Sequence, residues 1–206
     1  MEKYEFNDKH FPHIIVRDFF NDIEIKEIWK ELEFLTNSRV LLPPAETASA
    51  TSENGMPLKQ NSAVFLDNIY AADRKTSNIL SYMKKFWDKK NIETMTNYHQ
   101  IFKMLPLCNQ DNSLLSYYEN SDYYKPHFDQ AVFTILIHLY KEPKQFTDGD
   151  LFLGDDSYII PNENNRLIIF PSFGIHGVTQ IRQKSSTHFN CGGRYTISHF
   201  LGIKLI

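Results

Sequence analysis

Two short stretches hold residues whose types and spacing could do chemistry. In YYKPHFDQ, residues 123–130, His127 and Asp129 stand two apart behind a pair of tyrosines and a proline. Residues i and i+2 of a strand point to one face, so a strand here aims an imidazole and a carboxylate at the same place. Further on, NNRLIIFPSFGIHGV sets His176 just past a strongly apolar strand and a turn at residues 171–174. Two neutral imidazoles and one carboxylate on the rim of a β core form the facial triad that binds non-haem Fe(II). Such a triad leaves positions open for a cosubstrate and dioxygen, whereas the four protein ligands of a structural zinc site close it. The same HxD spacing also suits the polar outer face of a sheet.

A third stretch, GGRYTIS, puts Arg194, Thr196 and Ser198 on one face of a strand and Tyr195 and Ile197 on the other. An arginine among mostly apolar neighbours needs an anionic partner if it is buried. Its planar fork suits a carboxylate. A small dicarboxylate that chelates the metal at one end would supply that partner at the other.

The elements that must position these residues fall in two textures. FPHIIVRDFF reads as a strand leading into a helix near Asn21, where Asn21 and Glu24 stand as in a capping box. Ile25, Ile28, Trp29, Leu32 and Leu35 then recur at helical spacing and form an apolar stripe of core. Residues 41–60, LLPPAETASATSENGMPLKQ, read as a long irregular loop, either a lid or a mobile connection. A second amphipathic helix is expected over residues 77–89, with Leu80, Met83 and Trp87 on one face and its lysine pairs on a solvated one. From residue 100 onward, IFKMLPL, SLLSYY, AVFTILIHLY, DLFLGD, YIIP, RLIIFPSF and RYTISHFLGI are short β-prone runs broken by Gly, Pro, Asn and Asp. Strands so closely spaced suggest a sandwich or barrel.

Bulk composition sets limits. The 206 residues suit one compact domain, read as a helical flank with a lid loop over 1–99 and a β core over 100–206. Hydrophobic and charged contents of 42% and 23% are those of a globular protein. A net charge of -3 provides no global basic field for a nucleic acid. Cys108 and Cys191 stand far apart without metal spacing and read as reduced thiols. The N-terminus holds no apolar run long enough for a signal peptide, and no segment suits a bilayer. The expectation is a cytoplasmic protein.

The stretch YENSDYYKPHFD, residues 118–129, resembles the catalytic core of the 2-oxoglutarate and Fe(II)-dependent oxygenases, most closely the prolyl 4-hydroxylase branch. Tyr118, Tyr124, Pro126, His127 and Asp129 match that pattern. TDGDLFL echoes a glycine-aspartate turn before a short strand, with Asp148 where glycine is more usual. LIIFPSFGIHGV is similar to the strand and loop that lead to the distal histidine, and Arg194 with Thr196 to the closing Arg and hydroxyl pair. The resemblance covers roughly residues 100–206. In those relatives the arginine follows the distal histidine more closely; here QKSSTHFNC intervenes, and Arg182 is a rival that leads into a polar loop.

The resemblance implies a mainly β fold, a double-stranded β-helix (jelly roll) with N-terminal helices packed on one sheet. It implies iron held by His127, Asp129 and His176. Arg194 would bind the distal carboxylate of 2-oxoglutarate, helped by Tyr118 and Thr196. The cofactors would be Fe(II), 2-oxoglutarate and O2, with ascorbate as a reductant. The reaction would hydroxylate an unactivated C–H bond and release succinate and CO2; halogenating relatives lack the carboxylate that Asp129 supplies. The expected partner is a peptidyl or free amino-acid substrate, proline first, with no membrane and no stated oligomeric state. A base demethylase of nucleic acids and a catalytically inactive binding module are the alternatives. Of the other histidines, His138 is expected to face solvent or a hydrogen-bond partner, His199 to be structural, and His188 with Cys191 to be poor evidence for zinc.

Overall fold

The computed structural model describes residues 3–154, 158–183 and 192–204. His188, Cys191 and most of the insertion around them lie outside the described residues. In chain order the strands are β1 (Tyr4–Asn7), β2 (His13–Val16), β3 (Lys59–Gln60), β4 (Ser62–Phe65), β5 (Gln110–Tyr118), β6 (Tyr123–His127) and β7 (Phe133–Leu139). There follow β8 (Phe146–Asp148), β9 (Leu151–Leu153), β10 (Tyr158–Ile160), β11 (Arg166–Pro171), β12 (His176–Val178), β13 (Ile181–Gln183) and β14 (Arg194–Gly202). The helices are α1 (Asp22–Asn37), α2 (Leu66–Ile69), α3 (Asn78–Met83) and α4 (Lys89–Tyr98).

Two antiparallel sheets face each other. One has the order β1-β2-β11-β7-β14-β5-β4, the other β10-β9-β12-β6-β3, and β8 pairs with β13 at one end. Chain-distant strands sit side by side in both, as a double-stranded β-helix requires. Strands from before residue 100 join both sheets, so the β core does not begin where the sequence texture changes.

The seven-stranded sheet has two unlike faces because side chains alternate along each strand. Outward, Leu115 and Tyr117 of β5, Ile135 and Ile137 of β7, Leu167 and Ile169 of β11, and Tyr195 and Ile197 of β14 join one buried apolar cluster with Ile28, Leu32 and Leu35 of α1. That helix begins as its sequence indicates. The Asn21 side chain accepts from the backbone N–H groups of Ile23 and Glu24, and the Glu24 carboxylate accepts from the Asn21 N–H at 2.8 Å. Satisfying orphan donors this way contributes about 1 kcal/mol. At its last turn the Thr36 hydroxyl lies 2.7 Å from the Tyr195 phenol, tying helix to sheet.

Three expectations change. The second helix is broken: α3 ends at Met83, a 3-10 turn follows over Lys84–Trp87, and α4 is a separate helix. IFKMLPL is not a strand but part of a 3-10 helix, Gln100–Leu107, that buries Phe102 and Leu105 against the sheet. Residues 41–60 are not structureless: Leu42 bridges Ala63, Thr51 bridges Pro57, and the segment ends in β3 at the edge of the five-stranded sheet. Among the described residues, no helix is long and apolar enough to cross a membrane.

Candidate metal centre and carboxylate pocket

The five-stranded sheet brings the two histidines together: His127, last residue of β6, is the direct cross-strand partner of His176, first residue of β12. Their ring centroids lie 4.3 Å apart. Asp129 arrives differently from the strand argument. β6 ends at His127, and Asp129 lies in the following loop, pinned by its own N–H to the Ser172 carbonyl at 2.9 Å. There its carboxylate reaches both rings, Oδ1 at 3.7 Å from His127 Nε2 and Oδ2 at 3.4 Å from His176 Nε2. One ligand atom from each residue falls within 4.8 Å of the others, a spacing that suits a shared cation.

The surrounding groups fix how these side chains present themselves. His127 Nδ1 lies 2.9 Å from the Lys125 carbonyl and His176 Nδ1 2.9 Å from the Gly174 carbonyl. A carbonyl only accepts, so Nδ1 carries the hydrogen in each ring and the Nε2 lone pair is turned to the centre. The Thr134 hydroxyl donates to Asp129 Oδ2 at 2.6 Å and lies 2.9 Å from the Ser172 hydroxyl. Burial pushes the Asp129 carboxyl up, but the His176 contact, both imidazoles and the Thr134 hydroxyl outweigh it and hold the group below its usual range. Burial, then the proximity of His176, lowers His127 to about 4, so it stays neutral and able to ligate. Tyr124 stacks on the His127 ring with centroids 3.6 Å apart.

The second part lies on the inner face of the seven-stranded sheet. Arg194 and Tyr118 are cross-strand partners, with the guanidinium carbon 4.4 Å from the Tyr118 ring centroid. Arg194 is fully buried. Its Nη1 donates to the Gly149 carbonyl, while Nε and Nη2 have no partner. A side chain at Gly149, whose φ is +69°, would meet Ile181 at 2.5 Å, and its neighbour Asp148 has φ 59°, a left-handed turn that aspartate tolerates in place of glycine. Desolvation pulls Arg194 down to about 10, still charged at neutral pH. Thr196 is buried with its hydroxyl unpartnered. The rival Arg182 is 77% exposed at its side chain and sits 3.7 Å from Asp148, outside this pocket.

Sequence reasoning did not reach three further groups. His138 pairs with Thr196 on one side and Arg166 on the other, so all three share the inner face. It does not face solvent: it is fully buried, neither ring nitrogen has a partner, and burial with the nearby Arg194 and Arg166 charges keeps it neutral. Lys59 and Asn61, two apart at the end of the long loop, are both buried and turned inward. The signal for His138 was a single polar residue inside an apolar run; nothing periodic marked the other two. His199 is structural, 2.7 Å from the Ser113 hydroxyl and 3.5 Å from Asp111.

Buried donors without acceptors are costly, each roughly 1–3 kcal/mol. Those of Arg194, His138 and Thr196 cluster on one face, and a carboxylate is the acceptor that would satisfy them together. The donor sets therefore fit both a divalent metal and a dicarboxylate. In front of the triad lies a cleft of about 1210 Å³, lined by residues 48–51, by Tyr124, His127, Phe128, Asp129 and Ile175, and by the ends of β5 and β14.

Residues 113–202 match the sequence model of the 2OG-Fe(II) oxygenase superfamily. No curated protein matches the chain in sequence. Among solved structures, a Pseudomonas putida prolyl-4-hydroxylase superposes with a TM-score of 0.62 at 12% identity, over 94% of this chain and 93% of that one. The viral collagen prolyl hydroxylase of Paramecium Bursaria Chlorella virus-1, solved as a 2OG complex, gives 0.54 at 12% identity, over 97% and 95%. NgTET1 in complex with 5mC DNA gives 0.51 at 14% identity, over 93% and 72%. At such identities the structures speak for the fold; residues 113–202 are similar in sequence to the 2OG-Fe(II) oxygenase superfamily, and the cluster of His127, Asp129 and His176 fits the Fe(II) of that superfamily, with 2-oxoglutarate as cosubstrate.

Proposed function

We propose that the protein is a dioxygenase that hydroxylates an unactivated C–H bond of a peptidyl or free amino-acid substrate, a prolyl residue first. The observation that carries this reading is one arrangement: two Nε2 lone pairs and a carboxylate converging, with a buried, half-unpartnered arginine on the facing sheet. His127, Asp129 and His176 would hold Fe(II). Lys125 and Gly174 keep the imidazoles in the ligating tautomer, and Thr134 with Ser172 orients the carboxylate. Arg194 would take the distal carboxylate of 2-oxoglutarate, assisted by Tyr118, Thr196 and neutral His138. Bound together, Fe(II) and 2-oxoglutarate supply the oxidising chemistry: with O2, the 2-oxo acid becomes succinate and CO2 as a substrate C–H becomes C–OH.

Support for an amino-acid substrate over a nucleic acid comes from the cleft. Among its described lining residues there is no Lys or Arg, while Asp111 and Asp129 are acidic. A phosphate backbone would find nothing there to neutralise it. Exposed Phe128 and Ile175 flank the triad and suit an apolar ring such as proline's.

The test is succinate formation by the Fe(II)-loaded chain with 2-oxoglutarate, alone and with proline-containing peptides or a methylated single-stranded oligonucleotide. Stimulation by a peptide supports the reading, and stimulation by the oligonucleotide alone overturns the substrate class. No succinate under any condition leaves the binding module as the better account.

A further inference from the structure

Lys59 is a buried cation that the proposed reaction does not yet use. It is 4% exposed, on the two-residue strand β3, beside Tyr124 of β6. Its ammonium has a 3.4 Å contact with the Thr47 carbonyl and sits 5.7 Å from the centre of the Tyr124 ring. One long hydrogen bond and one aromatic face leave a buried ammonium under-satisfied. Asp129 is the anion that acts on it, and that carboxylate is already engaged by two imidazoles and Thr134.

Its position gives the missing partner. Lys59 and Asn61 lie two apart on an extended segment, and both are buried while Gln60 between them is exposed. Asn61 lies beside Tyr118, its amide atoms without a partner of good geometry. Tyr118 in turn stacks on Arg194. A line of donors therefore runs inside the barrel from Arg194, past Tyr118 and Asn61, to Lys59 next to the triad. Lys59 does not line the open cleft, whose wall on that side is Tyr124, Leu58 and residues 48–51. A buried cation at each end of one row of buried donors complements a molecule with a carboxylate at each end.

We propose that Lys59 is a second cosubstrate anchor, binding the carboxylate next to the keto group of 2-oxoglutarate while Arg194 binds the distal one, with Asn61 donating between them. This rests on the iron and 2-oxoglutarate reading above. It makes the end of the long loop, and not only the jelly-roll strands, part of the cosubstrate site.

Calorimetric titration of the full chain loaded with Mn(II), a metal that does not turn over, tests it. The probes are 2-oxoglutarate and levulinate, which keeps the ketone and the distal carboxylate but lacks the proximal one. In Lys59→Met the dissociation constant for 2-oxoglutarate should rise tenfold or more while that for levulinate stays within twofold. Asn61→Ala should show the same pattern more weakly. Equal loss of both ligands would point to a disturbed fold; Lys59→Arg then decides, supporting the anchor if the preference for 2-oxoglutarate returns and overturning it if the two ligands bind alike. Unchanged 2-oxoglutarate affinity in Lys59→Met overturns the anchor outright. Failure of the wild-type chain to bind 2-oxoglutarate at all would instead sink the functional reading beneath it.

Discussion

The two faces of the seven-stranded sheet are built from the same strands and end in opposite conditions. Outward, Ile135, Ile137, Leu167, Ile169, Tyr195 and Ile197 are sealed under α1 and the helices after it, and the buried Tyr195 phenol is answered by Thr36. Inward, the same β7, β11 and β14 carry His138, Arg166, Arg194 and Thr196, with polar atoms of each left without partners. A sequence that can seal one face so completely has not failed to seal the other. Unmet donors gathered on one face lower the stability of the empty protein and raise its affinity for the ligand that meets them. The outer face is where the fold is held; the inner face is where stability is given up for binding.

Substitutions on each face should therefore separate stability from affinity. The largest effect is expected at the triad: His176→Ala should weaken Mn(II) or Fe(II) binding by about 100-fold or more, with the metal-free melting temperature little changed, by analogy with the strong dependence of metal sites on their ligands. Next, Arg194→Met should weaken 2-oxoglutarate binding by about 100-fold, the cost of removing one partner of a buried charge pair. Its ligand-free stability should hold or rise, because an incompletely paired buried charge has gone. On the opposite face, Ile137→Ala should cost about 2–4 kcal/mol in urea unfolding through lost packing. The folded fraction of that variant should bind 2-oxoglutarate as the wild type does.

A pH titration sharpens the contrast from another side. His199 is held neutral, lowered by burial to about 4 against an unfolded value of about 6.5. The unfolded chain takes up this proton first. Stability is therefore complete above about pH 6.5 and falls as pH drops toward 4, by roughly 3 kcal/mol from this group. His13 and His138, also lowered by burial, act in the same direction. Chemical unfolding at pH 7 and pH 4.5 measures the loss; equal stability at both would contradict it. The smallest effect is expected for Thr196→Val: affinity for 2-oxoglutarate down about fivefold, ligand-free stability unchanged or slightly higher, since the shape is kept and an unmet hydroxyl removed.

What could be read from the chain follows the same division. The triad was legible from the HxD spacing, the position of His176 past an apolar strand and the resemblance to a known motif, Arg194 from a charge among mostly apolar neighbours, and the capped start of α1 because its signal is local. The loop position of Asp129 was not, since HxD spacing looks alike whether a strand continues or ends. α4 was hidden by its composition: KKNIETMTNY has a narrow apolar stripe, with only Met95 buried. IFKMLPL reads as a strand because a short apolar run has no period of its own. Lys59 and Asn61 gain their meaning from pairing with Tyr124 and from nearness to Tyr118, contacts far away in sequence. His138 needed both neighbouring strands before its burial could be known.

The most direct measurement is an anaerobic titration of the metal-free chain with Fe(II) and 2-oxoglutarate, following visible absorption. A 2-oxo acid chelated to iron on this triad should give a metal-to-ligand charge-transfer band that saturates with one equivalent of iron. It should be absent in His176→Ala and should need far more 2-oxoglutarate in Arg194→Met. Iron binding without that band in the wild-type chain, at saturating 2-oxoglutarate, would contradict the central claim.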